Sequence, residues 1–136
     1  MTIFGAIGIA STGLTVYRKW IDAVSDNLSN MNTVRSTNED AYQAKYVVAE
    51  AAGYGNDGTG EGVRVRGIEL GSAEGRMVYE PDHPLADAEG YVKYPEIDMS
   101  SQMTQLIMAQ RGYQANAAIV DRAKESYQAA LQIGRS

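Results

Sequence analysis

Three short constellations in this chain carry residue types that suit chemistry, and each lacks part of what its chemistry needs. Gly53, Gly55 and Gly58 have the GxGxxG spacing of a dinucleotide loop. That loop works only between a strand and a helix whose N-terminus holds the pyrophosphate, and here more glycine and a strand-like run follow. Gly8 to Gly13 is one residue from a phosphate-binding loop, but Leu14 stands where the lysine that neutralises phosphate must be. His83, the only histidine, is flanked by Asp82 and Pro84. One histidine without cysteine cannot build a nitrogen- or sulfur-rich metal site, and Pro81 and Pro84 make the segment a rigid turn. Asn27, Leu28 and Ser29 spell a glycosylation sequon inside a helical stretch that has no secretory leader. No catalytic residue, metal site or cofactor site is assigned, and the expected class is not an enzyme.

The pattern that dominates the chain is helical. Ile3, Ile7, Ala10, Leu14, Tyr17, Ile21, Val24, Leu28 and Met31 fill every a and d position of a heptad window. A helix of this kind has a seam that must be buried against another helix. It is expected from Thr2 or Ile3 to about Asn32, roughly 45 Å at ~1.5 Å per residue. A second, thinner apolar stripe (Ile9, Val16, Trp20, Ala23) lies roughly 110° around the same helix. At the far end, Asp98 is a good cap after Pro95, and Met99, Leu106, Tyr113, Val120 and Tyr127 recur every seven residues up to Ile133. Ala109, Asn116, Ala123 and Ala130 form the adjacent row, Met103, Ala117 and Leu131 widen the stripe, and Gly134 suits the position after the helix.

Between the helices, residues 34–97 hold all three prolines and most of the glycine. Strand-like runs at 42–51, 63–70, 76–80 and 90–94, with turn chemistry at 53–62, predict a small antiparallel hairpin region. The expected architecture is α+β: an N-terminal helical segment (1–33), a central loop and hairpin region (34–97) and a C-terminal helical segment (98–136). The terminal helices are expected to pair as a coiled coil, parallel or antiparallel, within one subunit or between subunits. Ile7, Leu14, Tyr17, Ile21, Val24, Leu28, Met31, Leu106, Tyr113, Asn116, Val120, Tyr127 and Leu131 are the expected pairing seam. Ile9, Val16, Trp20, Ile107, Ile119 and Ile133 are expected to meet neighbouring subunits.

The net charge of −5 and the absence of any basic run beyond Arg18 and Lys19 argue against nucleic acid and against a basic membrane-surface helix. No apolar run is long enough to span a bilayer. There are no cysteines, which fits a chain that works outside the cytosol without disulfides. No leader with a cleavage site is visible, so export would need another route.

Three separated motifs resemble one family. Ser11, Gly13 and Leu14, followed by Asn27, Asn30, Asn32 and Thr33, resemble the N-terminal signature of bacterial flagellar axial proteins. Arg111, Tyr113 and Asn116 match that family's C-terminal RxYxAN motif. Pro81, His83 and Pro84, then Tyr94 and Pro95, resemble its proximal-rod subunits rather than its hook subunits. Ser29 stands where alanine is typical, and Gly112 is unusual in a helix interior.

This resemblance implies a structural subunit of the flagellar basal-body rod. Its terminal helices would pack helically into a drive-shaft tube that transmits torque and encloses the export channel. Implied partners are further copies, other rod proteins, the nearby MS ring and its junction protein, and the flagellar type III export apparatus. Nucleic acid and direct membrane insertion are not implied. The implied location is the basal body in the periplasmic space, reached without a cleaved signal peptide. Two alternatives stay open: another rod or hook-type subunit, and a secreted soluble coiled-coil adaptor.

Overall fold

The computed structural model describes residues 2–135; Met1 and Ser136, the outermost residues of the two expected helical segments, lie outside them. The chain runs α1 (Ile3–Asn30), β1 (Lys45–Ala51), β2 (Val63–Leu70), β3 (Arg76–Tyr79), β4 (Tyr91–Tyr94) and α2 (Met99–Arg135). This is the expected α+β plan, with long terminal helices around antiparallel hairpins. The strands form two separate two-stranded sheets, β1–β2 and β3–β4.

Each helix starts on a side-chain cap. Thr2 Oγ1 accepts from the Gly5 N–H at 3.0 Å, and Asp98 Oδ2 accepts from the Ser101 N–H at 2.7 Å. Helix α1 stops at Asn30, two residues before the expected end. There Asn30 Nδ2 donates to the Asp26 carbonyl at 2.9 Å and Thr33 Oγ1 donates to Asn30 Oδ1 at 3.2 Å. Such local bonds compete with another helical turn. Helix α2 runs through Gly134, which keeps a right-handed backbone, so this glycine does not act as the expected stop.

Strands β1 and β2 pair from Lys45↔Leu70 to Ala51↔Val63, with Arg66 as the extra residue of a bulge opposite Val48 and Ala49. The glycine-rich 53–62 stretch is the loop of this hairpin, closed by Ala52 N–H to Gly62 carbonyl (2.9 Å) and Glu61 N–H to Gly53 carbonyl (3.0 Å). No helix follows it. The Gly8–Gly13 stretch lies inside α1.

Strands β3 and β4 pair from Arg76↔Tyr94 to Tyr79↔Tyr91. Their connection is a rigid turn. His83 N–H donates to the Glu80 carbonyl (3.0 Å), Leu85 N–H to His83 Nδ1 (3.1 Å), and Glu80 N–H to the Gly90 carbonyl (2.8 Å). The lone histidine is thus engaged locally. Asp87 Oδ1 accepts from the Glu89 and Tyr91 N–H groups, both at 2.9 Å. The Tyr91 N–H above all, helped by Thr37, Glu89 and Gly90, holds the Asp87 carboxyl below its usual 3.8. A carboxyl whose pKa is lower in the folded state stabilises the fold above its unfolded pKa and loses that contribution as pH falls through the folded value. Protection of the Glu89 and Tyr91 amides from hydrogen exchange should therefore weaken once the pH falls below about 4. Asp87→Asn should remove this pH dependence while keeping the acceptor; Asp87→Ala should lose the protection at neutral pH as well.

The buried apolar residues are few and small: Ala10, Ala23, Val24, Ala41, Ala44, Val92 and Ala109. Among the helices and strands, α2 packs against α1 alone, whereas α1 also packs against β1 and β2. Most of the circumference of α2 therefore faces solvent.

Candidate assembly surface

The two terminal helices pair within one chain, and they pair antiparallel. Asn27 Nδ2 donates to Gln102 Oε1 at 3.0 Å, Trp20 Nε1 to Gln105 Oε1 at 3.4 Å, Tyr17 covers Gly112, Gly13 faces Asn116, and the Phe4 and Tyr127 rings meet edge-on at 5.3 Å. The partner number falls as the α1 number rises. With Phe4 opposite Tyr127, the rest of α2 up to Arg135 projects past the start of α1, roughly 12 Å at ~1.5 Å per residue.

Close approach decides which residues meet. On α1 the buried line runs through Ala10, Gly13, Val24 and Asn27; on α2 the fully buried residues are Gln102 and Ala109. Gly112 lies under the Tyr17 ring, where a Cβ would strike it, and a Cβ on Gly13 would lie 2.8 Å from Asn116 Oδ1. Asn116 meanwhile donates to the Gly112 carbonyl at 3.0 Å.

The residues of the expected seam take several positions around this line. Val24 is buried, and Ile7, Leu14, Tyr17, Ile21, Leu28, Met31, Leu106, Asn116 and Val120 are half-buried. Tyr113, Tyr127 and Leu131 are exposed at its edge. The side chains expected to meet neighbours divide differently. Ile107, Ile119 and Ile133 are exposed on α2, and Ile9 is half-buried. Val16 and Trp20 face the chain's own β1–β2 hairpin across an open apolar cleft of about 290 Å³, which they line with Tyr17, Val47, Ala49 and Val63. The physical reason is the hairpin's anchor. Val63 N–H donates to Thr12 Oγ1 at 3.1 Å, and Gly62 (φ 97°) lets the chain come so close that a Cβ there would overlap Thr12.

A buried polar junction sits at the lower end of the pair. Asn27 is 1% exposed and makes four hydrogen bonds. Its Nδ2 donates to the Lys45 carbonyl and to Gln102 Oε1, both at 3.0 Å; its Oδ1 accepts from the Lys45 N–H (2.8 Å) and the Tyr42 hydroxyl (3.4 Å). One side chain thereby joins α1, α2 and β1. Burial raises the Tyr42 hydroxyl pKa, and the hydrogen bond to Asp26 raises that of Lys45. Of the other motif residues, Ser11, Asn32, Pro81, Pro84 and Arg111 are exposed and Pro95 is buried. Tyr94 donates to Glu80 at 2.9 Å beneath the Arg76 guanidinium.

The sequence reading placed no role on Gln102, Gln105, Thr12 or Lys45. A signal existed for Gln102 alone: the row Ala123, Asn116, Ala109 reaches it one heptad further back.

What remains unpaired is apolar and lies on both flanks of α2. Met99 and Met103 are exposed on one flank, Met108 and Ile119 on the other, and Ile107 on the outer face between them. Scattered apolar residues are normal on a surface, but two stripes flanking one long helix mark contact surfaces. Among the described residues no cluster suits a metal ion, and no helix is long and apolar enough to cross a membrane.

Known proteins resemble the chain along its whole length. Residues 88–133, covering β4 and most of α2, match a family model described as flagellar basal body rod FlgEFG protein C-terminal. The chain is 33% identical, over 99% of its length and 100% of the relative, to the flagellar basal-body rod protein FlgC of Salmonella typhimurium. The protein of the same name from Bacillus subtilis is 32% identical over 99% of this chain and 100% of its own. That of Borreliella burgdorferi is 32% identical over 98% of each.

Proposed function

This chain belongs to the FlgC family of flagellar basal-body rod proteins and is a structural subunit of the rod, and we propose how its shape serves that role. It is not an enzyme, and it assembles with other rod components of the basal body. The paired helices α1 and α2 form an axial strut, and the 34–97 hairpin region lies beside it. Struts of this kind stack by heterologous contacts, which propagate a helical tube instead of closing a ring. The tube transmits torque and encloses the export channel. Its partners are further copies of this chain, other rod proteins, the nearby MS ring with its junction protein, and the type III export apparatus. It works in the periplasmic space and reaches it without a cleaved signal peptide.

One observation carries this reading: α2 packs only on α1 and leaves apolar stripes on both flanks. A soluble adaptor would bury such stripes in its own dimer seam, whereas a tube needs two different lateral contacts per strut. The residues to test are Ile107 and Ile119, 46% and 48% exposed. Ile107→Asp with Ile119→Asp should shift the thermal midpoint of the purified chain by less than about 2 °C, because exposed changes cost little. In cells the same chain should leave export intact and abolish rods and swimming. Normal swimming of that variant would remove the lateral-contact reading.

A further inference from the structure

The cleft between α1 and the β1–β2 hairpin is apolar inside, with Lys19 and the Arg64–Glu50 ion pair at its rim. Val16, Trp20, Val47, Ala49 and Val63 line it, and a second shallow cleft beside it brings Lys19 and Arg64 to its edge. Arg64 keeps a 2.7 Å ion pair with Glu50; Lys19 has no ion pair among the described residues. Elsewhere on the same molecule the 80–90 turn is acidic. It carries Glu80, Asp82, Asp87 and Glu89, with no lysine or arginine. Leu85 stands at its tip, 42% exposed. The turn is held by two prolines, the His83 nitrogen and the Asp87 carboxylate. Docking a loop already ordered in this way costs little conformational entropy.

We propose that the cleft receives the 80–90 turn of a second copy of this chain, Leu85 entering the apolar floor and the exposed carboxylates of Asp82 and Glu89 facing Lys19 beside the Arg64–Glu50 ion pair. The contact joins two different surfaces, so each docked copy presents a fresh cleft and a fresh turn. It adds a further directional contact to those of the α2 flanks. This inference rests on the rod reading, because it needs copies to meet repeatedly in one orientation.

The chain has no cysteine, so engineered thiols report the contact cleanly. A single chain carrying Ala49→Cys and Leu85→Cys is expressed in cells lacking the native gene. Their isolated basal bodies are then oxidised. Docking predicts a ladder of covalent oligomers, forming about tenfold faster than with Leu85→Cys paired to Ala118→Cys on the outer face of α2, since only the docked pair has a high effective concentration. Adding Lys19→Glu should slow the ladder about fivefold, as expected for an exposed charge pair. Adding Glu89→Lys to that chain should restore the rate. A monomer closed on itself, a dimer without a ladder, or no cross-link in rods that assemble normally each overturns the docking and leaves the rod reading standing. If the unmodified chain restores no rods, the rod reading falls and this one with it.

Discussion

Gly112→Ala should lower the thermal midpoint of the chain by about 5 °C, although alanine is the best helix former. Two effects oppose each other at this position. Replacing glycine by alanine within a helix stabilises by roughly 1 kcal/mol. A methyl group at Gly112, however, points into the Tyr17 ring, which is stacked on Trp20 at 6.1 Å between centroids. Overpacking of this kind costs about 1–3 kcal/mol, and the ring cannot swing away without breaking that stack. The clash therefore wins by up to about 2 kcal/mol, and 1 kcal/mol corresponds to roughly 4 °C in a domain of this size. Gly112→Val, which adds β-branching, should cost about 3 kcal/mol or more. Gly8 is the internal control. It lies in α1 with nothing within 4 Å of where its Cβ would be. Gly8→Ala should therefore raise the midpoint by a few degrees, roughly the full propensity gain. Differential scanning calorimetry of the three variants decides the matter. A midpoint for Gly112→Ala at or above the parent's would mean that the helices are not held apart by Tyr17 there. In a Tyr17→Ala background, Gly112→Ala should cost less than it does in the parent, because the obstacle is then gone.

The same position shows where the sequence was legible and where it was not. Apolar heptads announced two long helices, and the caps at Thr2 and Asp98 marked their starts. Alternation in 63–70 marked β2 at its observed bounds. What the heptad count could not supply was the line of closest approach. It selects the largest apolar residues, such as Leu14, Ile21 and Leu28, whereas two helix backbones approach closely where side chains are small. Gly13, Ala109 and Gly112 occupy that line, and the larger residues pack along its sides. Gly112, a glycine that reads as a helix weakness, is thus a space for the distant Tyr17 ring, which no local pattern encodes.

The second face of α1 was legible as a stripe but not as to what covers it. Val16 and Trp20 are apolar for a reason, and the hairpin that covers them is anchored by a hydroxyl and a left-handed glycine, Thr12 and Gly62, far apart in the chain. Strand β1 likewise starts at Lys45 and not at Tyr42, because Tyr42 and Gln43 turn their side chains to Asn27 and to the Gly71 carbonyl. Those partners are not set by spacing.

Asn27→Leu should have the largest effect of any single change in the chain, about 3–5 kcal/mol. Leucine has nearly the same shape, so little packing is lost. The loss comes from what is left behind. The Lys45 N–H and carbonyl and the Gln102 amide would stay buried at the junction without their partner. An unsatisfied buried group costs about 1–3 kcal/mol, and folding has no water to offer there. Hydrogen exchange of the Lys45 amide should accelerate about a hundredfold or more, since its protection depends on this one acceptor. Asn27→Asp separates hydrogen bonding from shape. It keeps the acceptor for Lys45 N–H, loses the donor to the Lys45 carbonyl and to Gln102, and buries a charge. Burial and the facing carbonyl raise the carboxyl pKa of this variant above its unfolded value. A group whose pKa is raised on folding stabilises the fold below its unfolded pKa and loses that contribution as pH rises through the folded value. Asn27→Asp should therefore be least stable near neutral pH and approach the parent as the solution is made mildly acidic, while Asn27→Leu shows no such recovery. Denaturant unfolding of both variants across that range tests the junction. Losses below about 1 kcal/mol in both variants, with no pH dependence, would show that Asn27 acts by filling space alone, and the three-way link between α1, α2 and β1 would have to be found in Ala23, Val24 and Ala44 instead.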